Sequence, residues 1–198
     1  ICALSSVLPL GRRVVYATRT HEQARQVLHE VEAINRKAGG SYSAVSLASR
    51  NHLCMDERCR NLPPYESSEA CRLLTEKGLC PYRSEVTTLP QSLSRVLSIR
   101  ELRSQGEALR LCPYFLARKA AEAFTVTVAP YQYVFNETIR AKAKLELRGK
   151  VLVFDEAHNA DKVGLDALSD TRSERSLNNA KKELELVGAR RQFIDNLS

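Results

Sequence analysis

A short apolar run followed directly by two acidic residues restricts the fold of this chain more than any other feature. Residues Val151–Phe154 are apolar, Val151 and Val153 are β-branched, and Asp155 and Glu156 come next. Such a run predicts a strand buried on both faces of a parallel sheet. The carboxylates then lie at the carboxyl end of that strand, which is where α/β sheets place their active sites. The sequence therefore predicts an α/β fold.

The chemistry of these two carboxylates suits nucleotide hydrolysis. An aspartate at a strand end can hold nucleotide-bound Mg²⁺, usually through water, because hard cations prefer oxygen ligands. The next carboxylate is then placed to orient or deprotonate the water that attacks the γ-phosphate. The alternative is that Asp155 and Glu156 only begin a loop or cap a helix. The order Asp-Glu-Ala-His over residues 155–158 favours the catalytic interpretation.

A second candidate site follows an earlier strand. Residues 14–17 predict a short strand, and three polar residues then precede a predicted helix: Thr18, Arg19 and Thr20. Thr20 and Gln23 have the spacing of a capping box at the start of that helix. Exposed hydroxyls, an arginine and backbone N–H groups at a helix N-terminus are suited to binding a phosphate. An ordinary capped helix is the alternative.

The middle of the chain is rich in cysteine. Five of the six cysteines lie there: Cys54, Cys59, Cys71, Cys80 and Cys112. Because the chain carries no sign of export, metal binding is favoured over disulfides. Zinc sites usually present close ligand pairs, and only Cys54 and Cys59 come near that spacing. Cys80 and Cys112 are each followed by proline, a feature of iron-sulfur ligand runs, which favours iron-sulfur while leaving zinc open.

After the last of these cysteines comes a predicted helix over residues 114–124. Tyr114 and Arg118 lie one turn apart on one face of it. An aromatic ring can stack on a base while an arginine pairs with a phosphate, a combination typical of single-strand binding. The alternative is that Tyr114 packs in the core and Arg118 is only solvated.

Weaker patterns concern local structure. Residues 41–48 alternate well enough to predict a strand, residues 131–147 are predicted to be largely helical, and residues 161–170 are predicted to form a turn. From Ser176 onward, apolar residues recur at helical spacing and predict a long helix.

Net charge and composition indicate which kinds of partner the chain can bind. The net charge is +7, and the excess lies mainly before residue 51 and over residues 116–148, on either side of the cysteine-rich segment. This favours a polyanion such as nucleic acid. The chain has no signal peptide and no apolar run long enough to span a membrane. Because it also begins at Ile1 without a methionine, we expect an internal piece of a longer, non-secreted protein, nuclear in a eukaryote or cytoplasmic and nucleoid-associated in a prokaryote.

Four stretches together resemble one family. Residues 155–158 resemble the DEAH box of superfamily 2 helicases, and Tyr16–Gln23 is similar to the motif of XPD-type helicases that contacts single-stranded DNA. Ser49–Cys54 and Leu111–Arg118 resemble the first and last ligand segments of the XPD-type iron-sulfur domain. The resemblance to XPD-type iron-sulfur DNA helicases extends over nearly the whole chain.

The resemblance implies a domain arrangement. Residues 1–48 and 116–165 would form two parts of a RecA-like first motor domain, and residues 49–115 an inserted, mostly helical 4Fe-4S cluster domain. Residues 166–198 would begin a helical arch domain. The loop that cradles the phosphates of ATP, Gly-x-x-x-x-Gly-Lys-Ser/Thr, does not occur in the sequence, so the chain by itself is expected to bind ATP weakly and to hydrolyse none.

The resemblance also implies residue roles. Asp155 would hold Mg²⁺, Glu156 would activate water and His158 would couple the nucleotide to the motor. DNA contacts are assigned to six residues: Thr18, Arg19, Thr20, Arg50, Tyr114 and Arg118. For Arg50, which would also support the cluster, a plain salt bridge is the alternative. The 4Fe-4S ligands are Cys54, Cys71, Cys80 and Cys112.

Two cysteines, Cys59 and Cys71, are candidates for the second ligand of the cluster. We take Cys71 because Cys71 and Cys80 are expected to bracket a short helical stretch. Cys59 is the competitor, but its proximity to Cys54 would strain a cubane cluster.

The implied function is that of an ATP-dependent 5′-to-3′ DNA helicase of XPD type, acting on single-stranded and forked DNA in nucleotide excision repair. Membrane partners are not expected, whereas repair or transcription complexes are possible partners. A DinG-like iron-sulfur helicase is one alternative. A non-catalytic cysteine-metal module that binds nucleic acid is another.

Overall fold

The computed structural model describes residues 2–82 and 86–169, together with residues 178 and 181. The chain divides into two compact units, Ile1–Gly164 and Leu165–Ser198. The fold described below is that of the first unit. The helix predicted from Ser176 onward lies outside the described residues, apart from two helical positions.

A five-stranded parallel sheet forms the centre of the first unit. Its strands are β1 (Val14–Thr18), β2 (Ala44–Ser46), β3 (Val96–Leu97), β4 (Val126–Pro130) and β5 (Val151–Phe154). Their order in the sheet is β3-β2-β4-β1-β5. In the centre, Val14 of β1 pairs with Val126 on one side and Val151 on the other. The predicted α/β class is confirmed.

Helices cover the sheet and connect its strands. Their bounds are α1 (Cys2–Val7), α2 (His21–Ala38), α3 (Arg50–Leu53), α4 (Glu57–Arg60), α5 (Pro64–Glu76), α6 (Ile99–Leu109), α7 (Pro113–Ala123), α8 (Tyr131–Phe135), α9 (Glu137–Ala143) and α10 (Ala160–Leu168). Short 3₁₀ turns occupy Leu8–Leu10 and Ala157–Asn159.

Alternate residues of β1 face two different cores. Val15 and Ala17 belong to a core cluster with residues of α7 and α8, whereas Val14 and Tyr16 pack in a second cluster with the apolar stripe of α2. Side chains alternate between the two faces of a strand, so one apolar strand contributes to both layers. The predicted capping box of α2 is confirmed, since the Thr20 side chain and Gln23 each satisfy the other's backbone N–H.

Three local predictions are wrong in detail. The predicted strand over residues 41–48 is shortened to β2, and the turn predicted over residues 161–170 is largely the helix α10. Val163 of that helix packs against the core, and this tertiary contact favours helix where the local sequence did not. β5 is not buried on both faces, because Leu152 is 40% exposed. Among the described strands β5 has one neighbour, β1, which leaves one of its sides open.

The cysteine-rich segment is continuous with the main core. Its strand β3 pairs with β2, and Leu53, Leu97 and Leu102 of the segment are fully buried in the cluster that contains Val15. Packing therefore ties residues 49–115 to the sheet, while their limits as a cluster domain stay a prediction. In the part of the chain that the structure describes, no helix is both long and apolar enough to cross a membrane.

Close packing at Gly106 makes a testable prediction about stability. A Cβ atom at this position of α6 would lie 2.7 Å from Cγ of Pro113 and 2.8 Å from the carbonyl oxygen of Leu111. We expect Gly106→Ala to lower the free energy of unfolding by about 1–3 kcal/mol, because the neighbours are a ring and a backbone atom with little freedom to move. Urea denaturation measures the change.

Gly164 of α10 supplies the matched control. A Cβ atom there would meet only Cδ1 of Phe135, at 3.9 Å, which is an ordinary van der Waals contact. Gly164→Ala should therefore stabilise the protein by about 0.5–1 kcal/mol, since alanine favours the helix. Equal effects of the two substitutions would contradict the packing argument.

Candidate active site and nucleic-acid interface

The acidic pair lies at the carboxyl end of β5, as predicted. The Asp155 N–H donates a hydrogen bond to the carbonyl oxygen of Ala17 in β1, at 3.0 Å. The Asp155 carbonyl oxygen accepts a hydrogen bond from the Tyr131 hydroxyl. The backbone of Asp155 is thus held on both sides. Its side chain is half-buried, while Glu156 and His158 are exposed.

Glu156 adopts an unusual backbone conformation. Its φ of +51° lies in the left-handed region, which costs a residue other than glycine roughly 1–2 kcal/mol. The peptide group that precedes this residue carries the Asp155 carbonyl, so the Tyr131 hydrogen bond fixes the orientation of that peptide. Surrounding contacts thereby hold the backbone between the two carboxylates in one arrangement.

Tyr131 is a functional candidate that the sequence analysis missed. Its ring is 2% exposed and packs edge-on against Phe154, with 6.0 Å between ring centroids, and against Phe135. Burial, with the nearby charges of Asp155 and Glu156, raises the pKa of the Tyr131 hydroxyl, which therefore stays protonated and able to donate. Tyr131 directly follows β4, but its contact with residue 155 depends on the order of the strands in the sheet.

The candidate phosphate-binding segment lies beside the acidic loop, at the end of β1. Arg19 and Thr20 are exposed, but Thr18 is 1% exposed and its hydroxyl donates to the carbonyl oxygen of Thr20 at 3.3 Å. The expectation that the hydroxyls of this segment are exposed is therefore wrong for Thr18, whose side chain stabilises the turn. Arg19, Thr20, Tyr131 and Gln132 line an open cavity of about 530 Å³.

A cluster of two arginines and two aromatic rings lies at the start of α7. The Arg50 guanidinium is 4.3 Å from the centroid of the Tyr114 ring, and the Arg118 guanidinium is 5.5 Å from the same ring. Phe115 also contacts both arginines, at 5.4 Å each, and was not singled out from the sequence. Each guanidinium is attracted to the aromatic face beside it by cation–π interaction, and arginines combined with aromatic rings suit nucleotide binding.

Arg50 also reaches the cysteines. Its Nη1 donates to Sγ of Cys71 at 3.0 Å. Among the described residues no ion pair of Arg50 with a carboxylate is found, so the salt-bridge alternative has no support there. The Nε of Arg118 is buried and has no hydrogen-bond partner within the described ranges.

The structure brings the four predicted cysteine ligands together. Cys54 follows α3, Cys112 precedes α7, and both line one small cavity with Cys71 and Cys80. Cys59, the competitor, lines the same cavity and is 1% exposed. No residue of the acidic loop lines this cavity, so the two candidate sites are separate.

One reason given for preferring Cys71 is wrong. Cys71 and Cys80 do not bracket a helix, because Cys71 lies inside α5 and Cys80 follows the turn at Gly78. The helix is longer than predicted and begins at Pro64, a proline position that favours a helix start.

Burial is the largest cause of the raised pKa values of three cysteines. It raises the pKa of Cys59 to about 12 and that of Cys112 to about 11, and it raises the pKa of Cys54. Metal ligation requires thiolates, so binding at this cavity would release protons. Within the described ranges, no three or more histidine, cysteine or acidic side chains form a group that could hold a metal ion.

The donor type at this cavity is nevertheless the one that iron-sulfur clusters use. Such a cluster occupies the space between its cysteine ligands, which then surround a cavity without converging on one point. Thiols from four separate segments line this cavity, and thiolates are the ligands of iron-sulfur clusters.

The sheet topology and the position of Asp155 define the class of the protein: a parallel α/β domain with its candidate site at the carboxyl edge of the sheet. The family model described as DEAD_2 matches residues 16–177. The chain therefore belongs to the DEAD_2 family.

Curated relatives with similar sequences include proteins that are named as helicases. The chain is 30% identical over 158 residues to ATP-dependent DNA helicase chl1 of Schizosaccharomyces pombe, covering 76% of this chain and 19% of the relative. It is 29% identical over 185 residues to the Fanconi anemia group J protein homolog of Gallus gallus, covering 88% and 14%. The chain thus spans less than a fifth of the length of these relatives.

Solved structures share the fold. A protein named Truncated XPD superposes with a TM-score of 0.57 at 23% identity, over 91% of this chain and 50% of that one. A second, named XPD_Helicase, gives a TM-score of 0.56 at 25% identity, over 86% and 29%. The first likeness is evidence for the fold alone.

The hydroxyl of Tyr131 generates a prediction for this site. Tyr131→Phe removes the hydrogen bond to the Asp155 carbonyl and should lower the free energy of unfolding by about 0.5–1.5 kcal/mol. Faster hydrogen exchange should be confined to the amides of residues 155–159, because the phenylalanine ring keeps the contacts with Phe154 and Phe135.

Tyr133→Phe, two positions along the same helix, is the control for loss of a buried tyrosine hydroxyl. It should leave exchange in residues 155–159 unchanged. Unchanged exchange there in Tyr131→Phe would contradict the assigned role.

Proposed function

We propose that the chain is part of the first motor domain of an ATP-dependent 5′-to-3′ DNA helicase of XPD type that acts in nucleotide excision repair. In this proposal the chain belongs to a longer protein that supplies the phosphate-cradling loop and the second motor domain. The observation that carries the proposal is the link between the acidic loop and β1. The Asp155 N–H bonds to Ala17, which is followed in sequence by the segment that contains Arg19 and Thr20. DEAD_2 membership and the helicase names of the relatives support it.

The nucleotide site would be built on Asp155 and Glu156. Mg²⁺, when bound with ATP, would neutralise the charge that develops on the phosphates. Asp155, half-buried at the strand end, would hold that ion through its carboxylate, usually by way of water. Glu156 would orient and deprotonate the attacking water. The Glu156 backbone is in the left-handed region, with a φ of +51°. His158 would connect the nucleotide to the motor.

Single-stranded DNA would follow the carboxyl edge of the sheet. Arg19 and Thr20 are exposed there and would contact backbone phosphates, whereas Thr18 would act by holding their turn. Tyr114 and Phe115 would stack on bases, and Arg118 would pair with a phosphate. Arg50 would then serve both the strand and the cluster, because it touches Tyr114 and Cys71.

The 4Fe-4S cluster would be held by Cys54, Cys71, Cys80 and Cys112. When bound, it would cross-link α3, α5 and α7 and fix the arginine-aromatic cluster at the point where a duplex parts. The Arg50 contact supports Cys71 as the second ligand, since a cation beside the sulfur would offset the negative charge of a bound cluster. Cys59 would remain a buried core residue beside Cys54.

The same residues would serve a DinG-like helicase, and an arch domain in the complete protein would distinguish the XPD type. Single-stranded and forked DNA would be the substrates in either case. The complete protein would act in the nucleus of a eukaryote or on the nucleoid of a prokaryote, with repair or transcription complexes as partners.

Glu156→Gln tests the catalytic assignment in the complete helicase. Removing the general base should lower the ATPase rate by about 10²–10⁴-fold and abolish unwinding, while the affinity for single-stranded DNA is kept. Asp161→Asn, which removes an exposed carboxylate from the helix that follows, should leave the ATPase rate unchanged. Retained turnover in Glu156→Gln would refute the role.

Cys71→Ser and Cys59→Ser test the ligand set. Anaerobically purified protein should contain about four irons per chain, because a cubane cluster holds four. Cys71→Ser should lose the iron and the broad visible absorption, whereas Cys59→Ser should keep both. Stoichiometric zinc without colour, or loss of iron in Cys59→Ser alone, would contradict the proposed cluster and its ligands.

A further inference from the structure

A second open cavity lies between two helix N-termini. It has a volume of about 430 Å³, and the polar residues lining it include His21 and Arg25 of α2, Ser46 of β2, Ser98, and Arg100 and Arg103 of α6. The helices α2 and α6 both begin at carboxyl ends of sheet strands, β1 and β3. Their first-turn N–H groups add partial positive charge at this edge of the sheet.

The cavity carries an excess of positive charge. Arg25 is paired with Glu22, which also lines the cavity, so these two charges balance. Arg100 and Arg103 form no ion pair with any residue that the structure describes. The Glu101 carboxylate between them accepts the Ser98 N–H in the capping box of α6 and so faces the helix start. Arg100 and Arg103 are three residues apart, which places them on one side of the helix.

This cavity adjoins the candidate DNA-binding surface. His21 lines it and also lines the cavity that contains Arg19 and Thr20. A strand that contacts Thr20 could therefore continue past His21 toward α6 without leaving the carboxyl edge of the sheet. Leu28 and Ile99 provide apolar walls on which a sugar or base can rest.

We propose that Arg100 and Arg103 form a further binding site for the backbone phosphates of single-stranded nucleic acid. The inference rests on the proposed function and adds to it a strand path over the start of α6. A nucleic-acid strand is favoured over an acidic peptide because the site is continuous with the surface around Arg19 and Thr20. Two arginines one turn apart, neither of them paired with a described carboxylate, can each meet one phosphate of a strand.

The salt dependence of binding tests this assignment. Affinity of the 198-residue chain for a fluorescent oligo(dT) is measured by anisotropy over a series of salt concentrations. Each phosphate neutralised on a single strand contributes about 0.7 to the slope of log K against log salt. Arg100→Gln/Arg103→Gln should therefore reduce the magnitude of that slope by about 1.4. Arg100→Lys/Arg103→Lys, which keeps both charges, should preserve it.

The control removes two charges at the far end of α2. Arg36→Gln/Lys37→Gln makes the same change in net charge about 25 Å from the His21 end of the helix. Its slope should match that of the unmodified chain. If both double variants lower the slope equally, or if neither does, a site on α6 is refuted.

Two further outcomes are distinguishable. An unmodified chain that fails to bind oligo(dT) would count against the proposed function itself, whereas normal binding with an unchanged slope in the α6 variant would refute only this site. Should the double variant not fold, Arg100→Gln and Arg103→Gln singly should each lower the slope by about 0.7. An acidic peptide that binds the unmodified chain, loses affinity in the α6 variant and leaves the oligo(dT) slope unchanged would assign the site to protein instead.

Discussion

The pairing of β1 with two neighbours is the interaction on which the rest of the structure depends. β1 bonds to β4 on one side and to β5 on the other, in parallel and in register. Parallel register brings the carboxyl ends of the three strands to one edge, so the segments that begin at Arg19, Tyr131 and Asp155 become neighbours although they are far apart in sequence. The hydrogen bonds from Asp155 to Ala17 and from Tyr131 to Asp155 extend that pairing beyond the strands.

In the cysteine-rich segment, apolar contacts and polar contacts have separate roles. Leu53, Leu97 and Leu102 fasten it to the main core, and the cysteines lie together on short helices and turns. Arg50 connects the cysteines to the aromatic rings of α7, because its guanidinium contacts both the Cys71 sulfur and the Tyr114 ring. Apolar burial therefore positions the segment, while polar and sulfur contacts organise its surface. Arg50 would therefore contact both the proposed cluster site and the proposed DNA surface.

The features that could be predicted from the sequence are those that depend on residues close together in the chain. The capping box of Thr20 and Gln23 and the acidic strand end at Asp155 depend on neighbouring residues, and the structure has both. Tyr131 was not predicted as a site residue because the order of the strands brings it close to Asp155. Phe115 was not predicted because its contacts are with two arginines that only the folded chain brings near it. The helix in place of the turn after residue 160, and the exposed face of β5, likewise follow from tertiary contacts that local periodicity does not contain.

Gly106 has a consequence for how variants of this protein would be understood. The space that a side chain would need there is filled by Leu111 and Pro113, the two residues that flank Cys112. A larger residue at 106 would push on the turn that carries this cysteine. The expected phenotype would then be that of a damaged cysteine cavity, although no cysteine had changed and the altered residue has no functional group. Substitutions of this helical glycine would thus have the same phenotype as substitutions in the cysteine site.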